Sequence, residues 1–221
     1  MDRTLVIAPH ADDETLGVGG TILRRKAEGA RVGWLMVTSV SVQNGWSDSD
    51  SLLRNQEIAN ITKHYSFDDV FRLEFSPAGI DMVPIRDIVS AISDIVTDFM
   101  PSEIFIPHAS DVHSDHRIVS QAVIAASKWF RNPTVKRILA YETLSETDFG
   151  NSDGSSFRPN VFVDISPFLE EKLAGLRLYE SQLGEHPYPR SVEGVRSLSA
   201  VRGLASGFTA AEAFELIRDR S

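Results

Sequence analysis

The sequence predicts an α/β protein with a mostly parallel sheet. Three observations carry that prediction. Short apolar runs suited to buried strands alternate with longer helical segments along most of the chain. Residues 4–8, 15–28 and 31–38 read as strand, helix and strand, a βαβ unit whose two strands run parallel. The residues capable of chemistry cluster where apolar runs stop, which is where open α/β sheets bind ligands.

Taken in order, residues 4–8 are apolar after Thr4 and form a buried first strand. Residues 15–28 are helical and are closed by Gly29 in the C-cap role, and residues 31–38 form the second strand. Residues 39–51 are polar and irregular, with Trp46 among Ser, Asn, Gly and Asp. Residues 52–63 are helical, residues 69–73 form a short strand, and a turn follows at Pro77 and Gly79. Pro84 suits the first turn of a helix running to Phe99. Ile85, Ile88, Val89, Ile92, Ile95, Val96 and Phe99 make its apolar stripe. Residues 104–107 form a buried strand, and Ser114 or Asp115 caps a helix through Ser127. A strand at 135–142, a Gly/Ser-containing loop at 143–159 and a late strand at 161–165 come next. Helices at 167–180 and 191–204 precede a final helix at 210–218 that Thr209 starts. No repeat, low-complexity tract or linker interrupts this. The expectation is one domain over residues 1–221, its final third an extension.

The 221 residues suit one α/β domain, and 42% hydrophobic content is enough for a sizeable core. A net charge of -9 argues against nucleic acid as a partner, because phosphate contacts need clustered Lys and Arg. No apolar run approaches the roughly 18 residues of a membrane-spanning helix. The start enters a strand at once and leaves no room for a signal peptide, so a soluble cytoplasmic protein is expected. There is no cysteine, so a metal here must be held by His, Asp and Glu.

The chain is organised around Pro9-His10-Ala11-Asp12-Asp13-Glu14. His10 and Asp13 are three residues apart across a tight turn, so both can face one point. A catalytic zinc takes three protein ligands and keeps one position open. His113 and His116, in His113-Ser114-Asp115-His116, can share a helix-entry turn; one can complete the site while the other stands beside it. Carboxylates at 12–14 also fit an ordinary helix start. Gly17, Gly19 and Gly20 fall inside the helix instead of opening it as a dinucleotide fingerprint requires, so close helix–sheet packing explains them better.

These two motifs together resemble the His-Pro-Asp-Asp-Glu and His-Pro-Asp-His signatures of the LmbE-like/PIG-L zinc N-deacetylases. Arg202-Gly203 and Ala211-Glu212-Ala213-Phe214 are similar to that family's closing pattern. Ala11 and Ser114 stand where the family usually has proline, and neither change removes a ligand. The resemblance implies a Rossmann-like three-layer sandwich with a mostly parallel sheet. It implies zinc held by His10, Asp13 and His116, with Asp12 as general base. His113 would stabilise the tetrahedral intermediate or protonate the leaving amine, and Asp115 would orient a motif histidine. If His113 is cationic it needs an acid beside it; Asp111 and Asp115 are nearest in sequence. Other divalent ions such as Fe2+ or Co2+ suit the same ligands.

Substrate walls are expected from Trp46, which can stack on a sugar ring, from Arg54, which either binds substrate or pairs with Glu57, and from Glu142 at a strand end. His186, Tyr188 and Arg190 lie in a Pro-containing loop that offers a rim for the site or a contact within a homo-oligomer. The function expected is removal of an N-acetyl group from a small amino sugar or its conjugate. The competing readings are a zinc amidohydrolase on a non-sugar amide and a non-catalytic Rossmann-like binding protein. The presence of Asp12 speaks against the last.

Overall fold

The computed structural model describes residues 2–150 and 156–221; part of the 143–159 loop therefore lies outside the described residues. The elements follow as β1 (Arg3–Ala8), α1 (Asp13–Ala27), β2 (Arg31–Thr38), α2 (Asp48–His64), β3 (Asp69–Phe75), α3 (Ile85–Phe99) and β4 (Glu103–Pro107). Then come α4 (Ser114–Ala126), β5 (Arg137–Tyr141), β6 (Val161–Asp164), α5 (Leu169–Leu176), α6 (Val192–Ser206) and β7 (Ala211–Asp219). Seven strands form one sheet in the order β3-β2-β1-β4-β5-β7-β6. The pairs from β3 to β5 are parallel, and β7 runs antiparallel to both β5 and β6.

The central strands β1, β2, β4 and β5 are almost wholly buried because both faces of the sheet are covered there. Val6 and Ala8 of β1 pack with Val18 and Ile22 of α1 and Ile58 and Ile61 of α2. Leu5 and Ile7 point the other way, against Ile88, Ile92 and Val96 of α3 and Val119 and Val123 of α4. The result is a three-layer sandwich, as the resemblance implies, with the mostly parallel sheet that the alternation in the sequence predicts. The chain reverses its direction of travel between β1 and β4. Ligands bind at such a switch point, outside the carboxyl ends of the two strands. Both motifs follow those ends. Among the described residues, no helix is long and apolar enough to cross a membrane.

The glycines of α1 allow it to lie close to its neighbours. A side chain at Gly17 would enter the Tyr141 ring, and one at Gly20 would come within 2.7 Å of Ile165.

The expected final helix at 210–218 is instead the strand β7. Its Ala, Glu and Leu content favours a helix only weakly, and tertiary pairing overrides such propensities. β7 fills the gap between β5 and β6, so their backbone groups find partners on it. The strand also delivers Glu212 to a buried ion pair. Lys172 Nζ lies 2.6 Å from Glu212 Oε1 and donates to Leu16 O, while the Glu212 carboxylate accepts the backbone N–H groups of Gly20 and Thr21. Two smaller differences concern helix starts. The helix α2 begins at Asp48, four residues before the expected 52, because the Ser47 side chain caps it by accepting from Asp50 N. The helix α4 is capped by His113, not by Ser114 or Asp115.

Removing one partner of a buried pair strands the other charge. Lys172→Met should therefore destabilise the fold by about 3–5 kcal/mol, read from urea unfolding. A loss below about 1 kcal/mol would show that the pair is dispensable.

Candidate active site

Two strand ends and two helix starts build the site. β1 ends at Ala8, and His10 to Asp12 turn the chain into α1. The turn closes on itself: His10 N donates to Asp13 Oδ2 at 2.9 Å. Asp12 is the N-cap of α1 and has φ 150° and ψ -26°, a conformation that L-residues rarely adopt. Holding it costs about 1–3 kcal/mol, and such strain concentrates at functional sites. Beyond β4, His113 caps α4 by accepting Asp115 N at its Nδ1, 3.1 Å away, and His116 follows in the first turn.

The fold brings His10, Asp13 and His116 together, with one ligand atom from each lying within 4.8 Å of the others. His10 Nδ1 is 3.4 Å and His116 Nε2 3.3 Å from Asp13 Oδ2. The far nitrogen of each ring is held by a second carboxylate. His10 Nε2 lies 3.0 Å from Asp115 Oδ2, and His116 Nδ1 lies 2.8 Å from Asp111 Oδ2. Asp111 is itself fixed by Thr147 Oγ1 at 2.7 Å. A carboxylate at the far nitrogen keeps the proton there and leaves the near nitrogen's lone pair free, the usual support for a metal-binding histidine. Asp13 Oδ1 and His116 Nε2 are buried with no hydrogen-bond partner among the described residues. Buried polar atoms are rarely left so, and a divalent cation between them would satisfy both. The residues fit a metal.

His10, His113 and Asp115 form a second cluster of metal-capable groups. Several of their atoms are already committed: Asp115 Oδ2 takes His10 Nε2 and the Ala78 N–H at 2.8 Å, and His113 Nδ1 is used as a cap, while Asp115 Oδ1 has no hydrogen-bond partner among the described residues. That arrangement orients His10.

The electrostatics follow from burial among these charges. Burial lowers the pKa of His10, but its bonds to Asp115 and Asp13 outweigh it and raise the value to about 9. Burial likewise opposes protonation of His116, yet the charge of Asp13 and the Asp111 bond lift it to about 10. Burial raises Asp13, but the His116 charge and the two histidine bonds bring it well below the usual range. Burial and then the Asp13 charge raise Asp12, with Arg190 opposing. Glu14 is pushed to about 8, first by burial. For His113, burial and then the His10 charge lower the pKa. Neither acid expected beside His113 pairs closely with it. Asp111 turns to His116, and Asp115 Oδ2 is 3.9 Å from His113 Nδ1.

A cavity of about 460 Å³ opens over His10, Asp12 and His113. Trp46 and Arg54 line it. Arg54 donates to Ala11 O at 2.7 Å and also stands 3.4 Å from Glu57. Glu142 does not line it; its carboxylate is held by Arg202 at 2.8 and 2.6 Å. Of the loop residues, Arg190 reaches furthest in, with Nη1 2.9 Å from Asp12 Oδ2 and Nη2 2.8 Å from Glu146 Oε1. The contacts of Asp111 with His116 and of Arg190 with Asp12 were not legible in the sequence. The first joins a strand-end loop to a helix, and the second joins residues 178 positions apart.

The sequence signature described as PIG-L, GlcNAc-PI de-N-acetylase, matches residues 5–127, more than half of the chain. The chain belongs to the PIG-L family. Its PIG-L relatives carry deacetylase names. It is 29% identical over 184 residues to the uncharacterized deacetylase YaiS of Escherichia coli, covering 80% of this chain and 90% of that protein. It is 25% identical to the diacetylchitobiose deacetylase of Thermococcus kodakarensis, covering 98% of this chain and 84% of that protein. Among solved structures, the conserved protein TT1542 of Thermus thermophilus superposes with a TM-score of 0.79 at 30% identity, covering 97% of this chain and 94% of that one. The PIG-L match ends at Ser127, the C-cap of α4. The segment carrying Arg190 lies beyond it.

These pKa values set a pH dependence for metal-free protein. A histidine raised to about 9 or 10 adds stability that is full below its unfolded pKa near 6.5 and is lost as pH rises through the folded value. Glu14, raised to about 8, acts in the same direction between its unfolded pKa of 4.5 and 8. Asp13 is depressed, so its contribution stays constant above the unfolded carboxylate range. Thermal melts of chelator-treated protein should show a Tm that falls between about pH 6.5 and 10, and added zinc should stabilise more at the upper end. A flat Tm across that window would remove the histidine–carboxylate cluster as its cause.

Proposed function

We propose that this chain is a zinc-dependent hydrolase that removes an N-acetyl group from an amino sugar, such as N-acetylglucosamine, or from its conjugate. One observation carries the reading: Asp13 Oδ1 and His116 Nε2 are buried with no hydrogen-bond partner among the described residues, and Asp12, next to Asp13 in the chain, lines the cavity. A diacetylchitobiose deacetylase among the relatives supports the amino-sugar class. Fe2+ or Co2+ would suit the same three ligands.

In this reading His10 Nδ1, Asp13 and His116 Nε2 hold the ion. When bound, it supplies Lewis acidity, polarising the amide carbonyl and acidifying water. Asp12 is the general base. Arg190 holds its Oδ2, so the proton moves at Oδ1. A water oxygen adds to the amide carbon as Asp12 takes the proton. The C–N bond breaks as Asp12 returns that proton to the amine, giving acetate and a free amino sugar. With Nδ1 used as the helix cap, neutral His113 carries its proton on Nε2 and can donate it to the developing oxyanion. Arg54 and Trp46 form the substrate wall.

Asp12→Asn should keep its zinc and lower kcat by roughly 10²–10⁴-fold, measured as amine release from N-acetylglucosamine with metal analysis alongside. Near wild-type turnover in Asp12→Asn would assign the base elsewhere. The lowered pKa of His113 puts its charge change below neutrality. His113→Ala should therefore reduce kcat yet leave any basic limb of the rate–pH profile in place. Disappearance of that limb in His113→Ala would mean that a cationic His113 takes part.

A further inference from the structure

Glu14 is a buried carboxyl that the proposed chemistry does not use, and its contacts lead back to Asp12. Glu14 Oε2 accepts the Asp12 N–H at 3.1 Å. Glu14 Oε1 meets Thr15 Oγ1 at 2.6 Å and Tyr179 Oη at 2.8 Å. Glu14 and Tyr179 are both fully buried. Tyr179 follows α5, far from the motif in sequence, and the Arg54 guanidinium stands 5.8 Å from its ring centroid.

A residue at φ 150° keeps that conformation only where its surroundings over-determine it. Arg190 fixes the Asp12 carboxylate, and Glu14 fixes its backbone N–H. Glu14 is two residues away on the same turn, so by itself it would move with that turn. Among the described residues, Tyr179 is its one side-chain partner from outside the turn.

We propose that Tyr179 is a positioning residue: through Glu14 it holds Asp12 in its unusual backbone conformation and so aims the base at the cavity. The proposal rests on the reading of Asp12 as the base. It gives the region beyond the PIG-L match a defined part in the reaction, since a hydroxyl donated after α5 sets the geometry of the turn after β1.

The test is Tyr179→Phe, which removes one oxygen and keeps the ring packed. In the zinc-loaded protein acting on N-acetylglucosamine, kcat should fall about 10–100-fold, the scale of a small misplacement of a reacting group, with KM within about twofold. Zinc content should stay at the wild-type level, and amide exchange across residues 10–14 should speed up. Glu14→Leu should show the same split between kcat and KM. Glu14→Gln should recover most of that loss, because its amide oxygen can accept the Asp12 N–H while its NH2 group meets the two hydroxyls. An unchanged kcat in Tyr179→Phe overturns the proposal, as does a loss of kcat matched by a loss of zinc. If wild-type protein releases no amine from N-acetylglucosamine, that substrate is overturned, and exchange then decides the backbone contact alone: faster in Tyr179→Phe supports it, unchanged overturns it.

Discussion

The molecule depends on one arrangement of charge: the Asp13 carboxylate set between the imidazoles of His10 and His116, each backed by a further carboxylate. Fully buried, an isolated carboxylate would take up a proton. Here two rings within 3.4 Å keep it ionised, and Asp115 and Asp111 fix which nitrogen of each ring faces it. Five side chains from two segments of the chain are thus mutually constrained. The sheet meets the requirement by ending β1 and β4 side by side at the switch point, so that two turns distant in sequence share one space.

A second set of constraints comes from the far end of the chain. Arg190 reaches Asp12, Tyr179 reaches Glu14, and the Lys172–Glu212 pair grips the middle of α1. All of these act on α1 or on the turn that precedes it. Through these contacts the C-terminal third clamps the element that carries the first motif. Asp12 pairs with Arg190 in a nearly buried setting, and the guanidinium opposes the rise in pKa that burial and then the Asp13 charge impose.

Much of the central sheet was legible because its signals are local. A continuous apolar run such as Leu5 to Ala8, or the 3.6-residue stripe of Ile85 to Phe99, reflects burial that any close-packed arrangement would impose. The final strand was not legible. Ala211 to Asp219 is rich in helix formers, and its conformation is decided by the vacancy between β5 and β6, whose edges come from other parts of the chain. The cap of α4 was missed for a related reason. An imidazole rarely serves as a cap, and only the backbone at His113 shows its Nδ1 accepting the Asp115 N–H.

By itself, then, the sequence determined the α/β class, the parallel core of the sheet, and the two turns that bear His10, Asp12, Asp13, His113 and His116. Those depend on residue type and spacing within a few positions. Only the tertiary structure decided that Asp111 serves His116, that Asp115 serves His10, that Glu142 turns to Arg202, and that Arg190 and Tyr179 converge on the turn after β1. The physical reason is that a side-chain hydrogen bond leaves no periodicity in the chain, whether it links Asp111 to His116 or Arg190 to Asp12. Its partners are chosen by the packing of the layers between them, and that packing is a property of the whole fold.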